Sequence, residues 1–179
     1  TNFYCDCKTE KMKTFDLLLK GGHVIDPSED IDQKLDVAFS NGKISKIAND
    51  IPKSKAKKVI DISNSILTPG LIDLHTHVYW GGTSLGIDPD KYCISSGLTT
   101  LIDTGSAGPG NFSGFRKHII EKSRFRILVF LHISHAGIFA FSKDVMVGES
   151  ENIRMMDPRS AIQVIKENQD LIVGVKVRL

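Results

Sequence analysis

The stretch Leu67–Val78, which reads Leu-Thr-Pro-Gly-Leu-Ile-Asp-Leu-His-Thr-His-Val, limits the possible folds more than any other part of the chain. Its Pro-Gly pair interrupts whatever precedes it, and the short run Leu71–Val78 is typical of a buried strand. Alternate side chains of a strand share a face, so Asp73, His75 and His77 lie on one side. Neutral imidazole binds zinc and related metals well. The pattern therefore indicates a metal site at a strand end, although two histidines at this spacing are also found without any metal.

The composition excludes several classes of protein. The 179 residues, 41% hydrophobic and 25% charged, suit one globular domain, or one domain and part of another. A net charge of +2 gives no reason to expect nucleic acid or an acidic membrane surface as a partner, and no apolar run is long enough to span a bilayer. Residues 1–14 carry no secretory signal and are predicted to be a leader or a disordered tail. The odd, low cysteine count (Cys5, Cys7 and Cys93) predicts a reducing, cytoplasmic setting.

Residues 15–67 are predicted to form a small antiparallel β-module. Asn41-Gly42 between two apolar runs is a strong hairpin signal, because both turn positions need a positive φ. The predicted strands are Asp16–Lys20, ending at Gly21-Gly22, then His23–Pro27, Asp36–Ser40, Lys43–Ala48 and Lys58–Ile62.

Residues 68–179 alternate predicted strands with predicted helices, which favours a parallel sheet. Asp88-Pro89 and Asp157-Pro158 are helix-start signals, and Gly97 ends the first of these helices. The predicted strands are Leu71–Val78, Leu98–Thr104, Phe125–Ser134 and Leu171–Leu179, with a further amphipathic helix at Phe112–Ser123.

The last of these strands contains a lysine among valines. Gly174, Lys176 and Arg178 share one face with Ile172. A lysine inside a buried strand is costly unless it is paired or loses its charge. Either the strand lies at a sheet edge with Lys176 and Arg178 in water, or Lys176 has a chemical role and Gly174 leaves room for a bound group.

Two motifs carry a resemblance to a known family. Pro-Gly-Leu-Ile-Asp-Leu-His-Thr-His resembles the first barrel strand of the amidohydrolase superfamily, which includes dihydroorotases, dihydropyrimidinases and aminoacylases. Gly-Val-Lys-Val-Arg at 174–178 resembles the fourth-strand motif of its dihydroorotase-like subgroup. Residues 81–90 and 97–108 resemble the amidohydrolase/deacetylase branch. The resemblance implies an α/β chain in which 68–179 form the N-terminal half of a (β/α)8 TIM-like barrel, preceded at 15–67 by part of a β-sandwich.

The resemblance also implies a site and a reaction. His75, His77 and a Lys176 carboxylated by CO2 would hold two divalent metal ions, zinc by expectation. A metal-activated hydroxide would then cleave the C–N bond of a small-molecule amide or cyclic amide. An acyl ester is the other possible substrate. The family's catalytic Asp and remaining ligands would follow Leu179. The chain could also form a homo-oligomer. Two alternatives to an enzyme remain: a non-catalytic scaffold or binding protein, and an inert truncated product.

Five further side chains are candidates for contacting the substrate or hydrogen-bonding to the metal ligands: Asp73, Asp103, His132, His135 and Arg178. Asp103 is equally well explained as an ordinary strand-end carboxylate, and His132 as a hydrogen-bonded core histidine. Half a barrel would also leave the first and fourth barrel strands as open edges.

Overall fold

A computed structural model of the protein describes residues 14–142, 144–147 and 149–178. Apart from Thr14, the predicted leader or disordered tail at 1–14 lies outside these residues. The chain divides between Pro69 and Gly70 into two compact units. Within the described ranges, no helix is long and apolar enough to cross a bilayer.

The first unit is a five-stranded mixed sheet. Its strands are β1 (Phe15–Asp26), β2 (Ile31–Ser40), β3 (Lys43–Ala48), β4 (Ala56–Asp61) and β5 (Ile66–Leu67). The order is β3-β2-β1-β4, and β5 also pairs with β1. The first two pairings are antiparallel, but β4 and β5 run parallel to β1. The prediction of a purely antiparallel module was therefore wrong, because the chain after β3 crosses to the far side of β1 before it pairs again.

Of the two turns predicted in this unit, one is present and the other is not. The hairpin at Asn41-Gly42 is confirmed, with φ of 53° and 72°. The predicted break at Gly21-Gly22 was wrong, since β1 continues through it. Gly21 has φ of 79°, and the pairing register with β2 shifts between Leu19 and Gly22. A glycine in this conformation forms a bulge and lets the strand continue.

The second unit contains a four-stranded parallel sheet. Its strands are β6 (Leu71–Thr76), β7 (Leu98–Thr104), β8 (Arg126–His132) and β11 (Ile172–Lys176), in the order β6-β7-β8-β11. A separate hairpin pairs β9 (Ala140–Phe141) with β10 (Met146–Val147). The α-helices are α1 (Pro89–Ser96), α2 (Phe112–His118) and α3 (Pro158–Glu167). Over the described residues the sheet does not close into a barrel.

Helix boundaries follow the predicted caps. The Asp88 carboxylate accepts hydrogen bonds from the N–H groups of Asp90 and Lys91, and Gly97 ends α1 with φ of 74°. The Asp157 carboxylate caps α3 by accepting from the Ser160 N–H. Both helix starts and the stop at Gly97 are confirmed. The predicted helix at 112–123 is divided into α2 and a short 3₁₀ turn.

The core of this unit lies between the sheet and the helices. It is built from side chains of β7 and β8 packed against those of the helices and loops, chiefly Val78, Cys93, Leu101, Phe112, Phe115, Ile127, Val129 and Leu131. The odd-numbered side chains of β8 enter this core, so Phe130 and His132 face the other way.

The prediction of a buried first barrel strand was wrong. Leu71, Ile72 and Leu74 of β6 are 52%, 54% and 71% exposed. In the described part of the chain β6 pairs with β7 alone, so one of its sides has no neighbouring strand. The predicted open edges are confirmed: β6 and β11 are the two edge strands of the sheet.

Candidate metal centre

The carboxyl ends of all four parallel strands lie at one edge of the sheet. This edge carries His75 and His77 at the end of β6, Ser106 after β7, His132 at the end of β8 and Lys176 at the end of β11. Barrel enzymes carry their chemistry at the same edge. The structure thus gathers the three proposed metal ligands on one side of the sheet.

His75 and His77 are neighbours at this edge, with ring centroids 5.5 Å apart. His77 Nδ1 lies 3.1 Å from Ser106 Oγ, a contact that the sequence did not predict. Burial, together with the positive charges of His75 and Lys176, lowers the pKa of His77 from 6.5 to about 4. Its ring is therefore neutral at physiological pH, which is the form that binds a metal.

Asp103 connects the backbone after His77 to the loop that carries Ser106. Its side chain is fully buried. One carboxylate oxygen accepts a hydrogen bond from the Val78 N–H at 2.8 Å, and the other accepts from the Ser106 N–H at 2.8 Å. Burial raises the pKa of Asp103, while these hydrogen bonds oppose the shift. Asp103 thus fixes both the residue after His77 and the serine that contacts its ring.

Asp73 has the corresponding contacts for His75. Its carboxylate accepts from the His75 N–H at 3.0 Å and from the Tyr92 hydroxyl at 2.8 Å. Tyr92 belongs to α1, and no local pattern in the sequence indicates its bond to β6. A cavity of about 260 Å³ opens here, lined by Asp73, His75, Thr76, His77, Leu85, Ile87 and Tyr92.

Lys176 and His132 meet over Gly105. The two are paired residues of the neighbouring strands β11 and β8. A Cβ atom added to Gly105 would lie 2.6 Å from Lys176 Cγ and 3.0 Å from His132 Cδ2. Gly105 also has φ of 96°, which side-chain-bearing residues rarely adopt. The glycine is therefore needed for both its space and its conformation.

Only one of the two ring nitrogens of His132 has a hydrogen-bond partner among the described residues. His132 is 0% exposed, and its Nδ1 accepts a hydrogen bond from the Ser134 N–H at 2.9 Å. Its Nε2 is buried and has no hydrogen-bond partner among the described residues. Burial, followed by the charge of Lys176, lowers the pKa of His132 from 6.5 to about 4. A fully hydrogen-bonded core histidine does not account for this arrangement. The other alternative, a contact to the substrate or to a metal ligand, stays a prediction.

The expectation that Gly174 leaves room for a bound group was wrong. A Cβ at this position would lie 2.6 Å from carbon atoms of the Phe130 ring, which covers the glycine. Gly174 therefore allows an aromatic side chain on β8 to pack against β11. The glycine against which the Lys176 side chain packs is Gly105 instead.

The two remaining candidates have carboxylate partners elsewhere. His135 is exposed, and its Nδ1 lies 3.0 Å from a carboxylate oxygen of Asp157 at the start of α3. Arg178 donates to the buried carboxylate of Glu149 at 2.9 Å. The structure does not bring either of them to the His75–His77 pair.

The side chains at this edge are compatible with a metal ion, but a third ligand beside the two histidines has to come from Lys176. No group of three His, Cys, Asp or Glu side chains that would hold a metal is found in the residues described. Two imidazoles, one of them held neutral, are suitable ligands. The unpartnered Nε2 of His132, beside the proposed ligand Lys176, is a polar atom that a bound group would satisfy. The residues present therefore fit a metal centre.

We expect the metal-free chain to lose stability as the pH falls from 6.5 to 4. The folded-state pKa of His132 is about 4 against 6.5 for the unfolded chain, so in this window only the unfolded chain takes up the proton. The contribution of His132 to the free energy of unfolding is fully present above pH 6.5. About 3 kcal/mol of it is lost by pH 4. Urea unfolding with a chelator present, at several pH values, measures the effect. Because the pKa of His77 is lowered to about 4 as well, His132→Asn should remove about half of the pH dependence. An unchanged slope would contradict the assignment.

No family model matches the chain. A deacetylase from Agrobacterium fabrum is 38% identical over 138 residues, which are 77% of this chain and 33% of that protein. A dihydroorotase from Trichlorobacter lovleyi is 46% identical over 112 residues, covering 60% of this chain and 26% of the relative. A crystal structure of a dihydroorotase superposes with a TM-score of 0.74 and 32% identity, covering 91% of this chain and 42% of that one.

The chain is similar in sequence and in fold to proteins of the amidohydrolase superfamily. Relatives named deacetylase and dihydroorotase match it in sequence, and the dihydroorotase structure shares its fold over nearly the whole chain. The chain spans about a third of the length of the deacetylase it matches. The resemblance inferred from the two motifs is thereby confirmed.

Proposed function

We propose that this chain is the first half of a metal-dependent (β/α)8 hydrolase, with residues 15–67 contributing part of a flanking β-sandwich. The reaction is hydrolysis of a C–N bond other than a peptide bond, in a small-molecule amide, cyclic amide or related acyl compound. The observation that carries the proposal is the convergence of His75, His77 and Lys176 at the carboxyl edge of one parallel sheet. The names of the relatives support the reaction class.

The chain's own residues would bind and orient the metals. His75 and His77 supply imidazole nitrogens, and a CO2-derived carbamate on Lys176 supplies oxygens from the opposite edge strand. Asp73 holds the backbone N–H of His75, and Asp103 holds that of Val78, the residue after His77. Ligands held by such partners lose less entropy on binding a metal.

Two divalent ions, zinc in our proposal, would supply Lewis acidity and a hydroxide available near neutral pH. The cavity beside His75 and His77 is lined by both apolar side chains, Leu85 and Ile87, and polar ones, among them Asp73 and Tyr92. This lining suits a small substrate that presents both an acyl group and polar atoms.

Metal analysis of the purified full chain tests the proposal. We expect zinc to remain bound after exhaustive dialysis in bicarbonate-containing buffer and to be removed by a chelator. Hydrolysis of dihydroorotate and N-acetylated amino acids, measured before and after chelation, tests the reaction class. Zinc bound without hydrolysis would favour a scaffold role for this polypeptide. Absence of bound zinc would overturn the metal centre itself.

A further inference from the structure

The buried ring of His132 lies beside Lys176 but is not part of the proposed ligand set. Because the Ser134 N–H donates to Nδ1, that nitrogen carries no proton. The neutral ring therefore carries its proton on Nε2. This Nε2–H is fully buried and has no acceptor in the described part of the chain. A buried donor without a partner is costly and calls for a structural or functional reason.

The surroundings of Nε2–H indicate which kind of acceptor is missing. Cδ2, the carbon bonded to Nε2, borders the same side-chain-free surface of Gly105 as Lys176 Cγ does. None of the ion pairs found among the described residues includes Lys176. The charged amine of an unmodified lysine carries only donors, so it could not serve as the acceptor for this N–H.

We propose that His132 is a positioning residue whose Nε2–H donates a hydrogen bond to the carbamate of Lys176. This inference rests on the proposed function and extends it. Carboxylation forms one N–C bond between the neutral Nζ amine and the carbon of CO2. A C=O electron pair moves onto oxygen, and one proton leaves nitrogen for solvent. The product has acceptor oxygens on a strand directly paired with that of His132, so both polar groups gain a partner.

The geometry favours this role over direct metal binding. With Nδ1 used by the Ser134 N–H and Nε2 protonated, neither nitrogen of this tautomer has a lone pair available for a metal. His132 thus acts through Lys176, in the way that metal ligands are commonly supported by hydrogen bonds from neighbouring side chains.

Carbon-13 NMR of the full chain, equilibrated with ¹³C-bicarbonate and zinc, measures carbamate occupancy directly and independently of activity. His132→Gln keeps an amide donor at the end of the side chain, and His132→Met is matched in size without that donor. Neither variant has a polar atom at the position of Nδ1, so their difference reports on the polar group at the end of the side chain. A hydrogen bond to a charged group typically changes an equilibrium about tenfold or more. We expect His132→Met to lose the carbamate signal by that factor and His132→Gln to retain most of it.

His132→Asn gives a second, independent comparison. Its side-chain oxygen can accept from the Ser134 N–H while the distal donor is absent, so it should behave like His132→Met. Equal carbamate signals in His132→Gln and His132→Met would overturn the inference, as would a signal in His132→Asn equal to that of the unmodified chain. If any variant fails to fold by circular dichroism, the remaining comparison decides. No carbamate signal in the unmodified chain would overturn the inference together with the carbamate part of the proposed function.

Discussion

Replacing His77 by alanine should lower the affinity of the chain for zinc by at least about 100-fold, since removing even a hydrogen-bond partner of a metal ligand typically costs 10- to 100-fold. The proposed centre takes only three donors from this chain, so the loss of one leaves two. His77 is also the more buried of the two strand-end histidines, and its neutral ring is already in the metal-binding form. Isothermal titration of the chelator-treated chain with zinc measures the change.

His118→Ala is the matched control for this substitution. His118 is an exposed residue at the end of α2, so its removal deletes an imidazole without touching the sheet edge. It should leave zinc affinity unchanged. If His118→Ala weakens binding as much as His77→Ala does, the zinc is held nonspecifically by surface histidines and the proposed centre is wrong.

Gly105→Ala should destabilise the chain by roughly 3 kcal/mol, by combining backbone strain with overpacking. The added methyl would lie 2.6 Å from Lys176 Cγ, and the φ of 96° is unfavourable for alanine. Because β11 is an edge strand, the clash is most readily relieved by moving Lys176 away, so zinc affinity should fall as well. Urea unfolding of the metal-free variant and zinc titration measure the two effects separately.

Gly97→Ala isolates the backbone contribution. Gly97 has φ of 74°, and no atom lies within 4 Å of an added Cβ. It should cost only about 1 kcal/mol, as expected for a left-handed residue without overlap, and leave zinc binding unchanged. Equal losses of stability in the two variants would show that the overlap at Gly105 relaxes freely, against our interpretation.

The parts of this fold that depend on neighbouring residues in sequence were predictable. The hairpin at Asn41-Gly42 and the capped starts of α1 and α3 follow from side chains bonding to backbone a few residues away. The alternation of strands and helices likewise determines a parallel sheet with its polar strand ends on one edge.

The errors and omissions concern contacts between distant segments. The tyrosine that bonds Asp73, the serine that contacts His77 and the phenylalanine that covers Gly174 each come from a different element than their partner. The parallel pairing of β4 with β1 is also set by a crossover and not by a turn. Such contacts leave no periodic or local pattern, so only the arrangement of strands in space reveals them.

The proposed donors sit on the two outermost strands of a four-stranded sheet. His75 and His77 lie at the end of β6, and Lys176 lies at the end of β11, with two strands between them. An ion held by both would act as a cross-link that closes a loop of about a hundred residues, the type of closure that restricts an unfolded chain most. Metal uptake would then bind the first strand to the last, and zinc would raise the unfolding midpoint of the unit in proportion to the logarithm of its concentration.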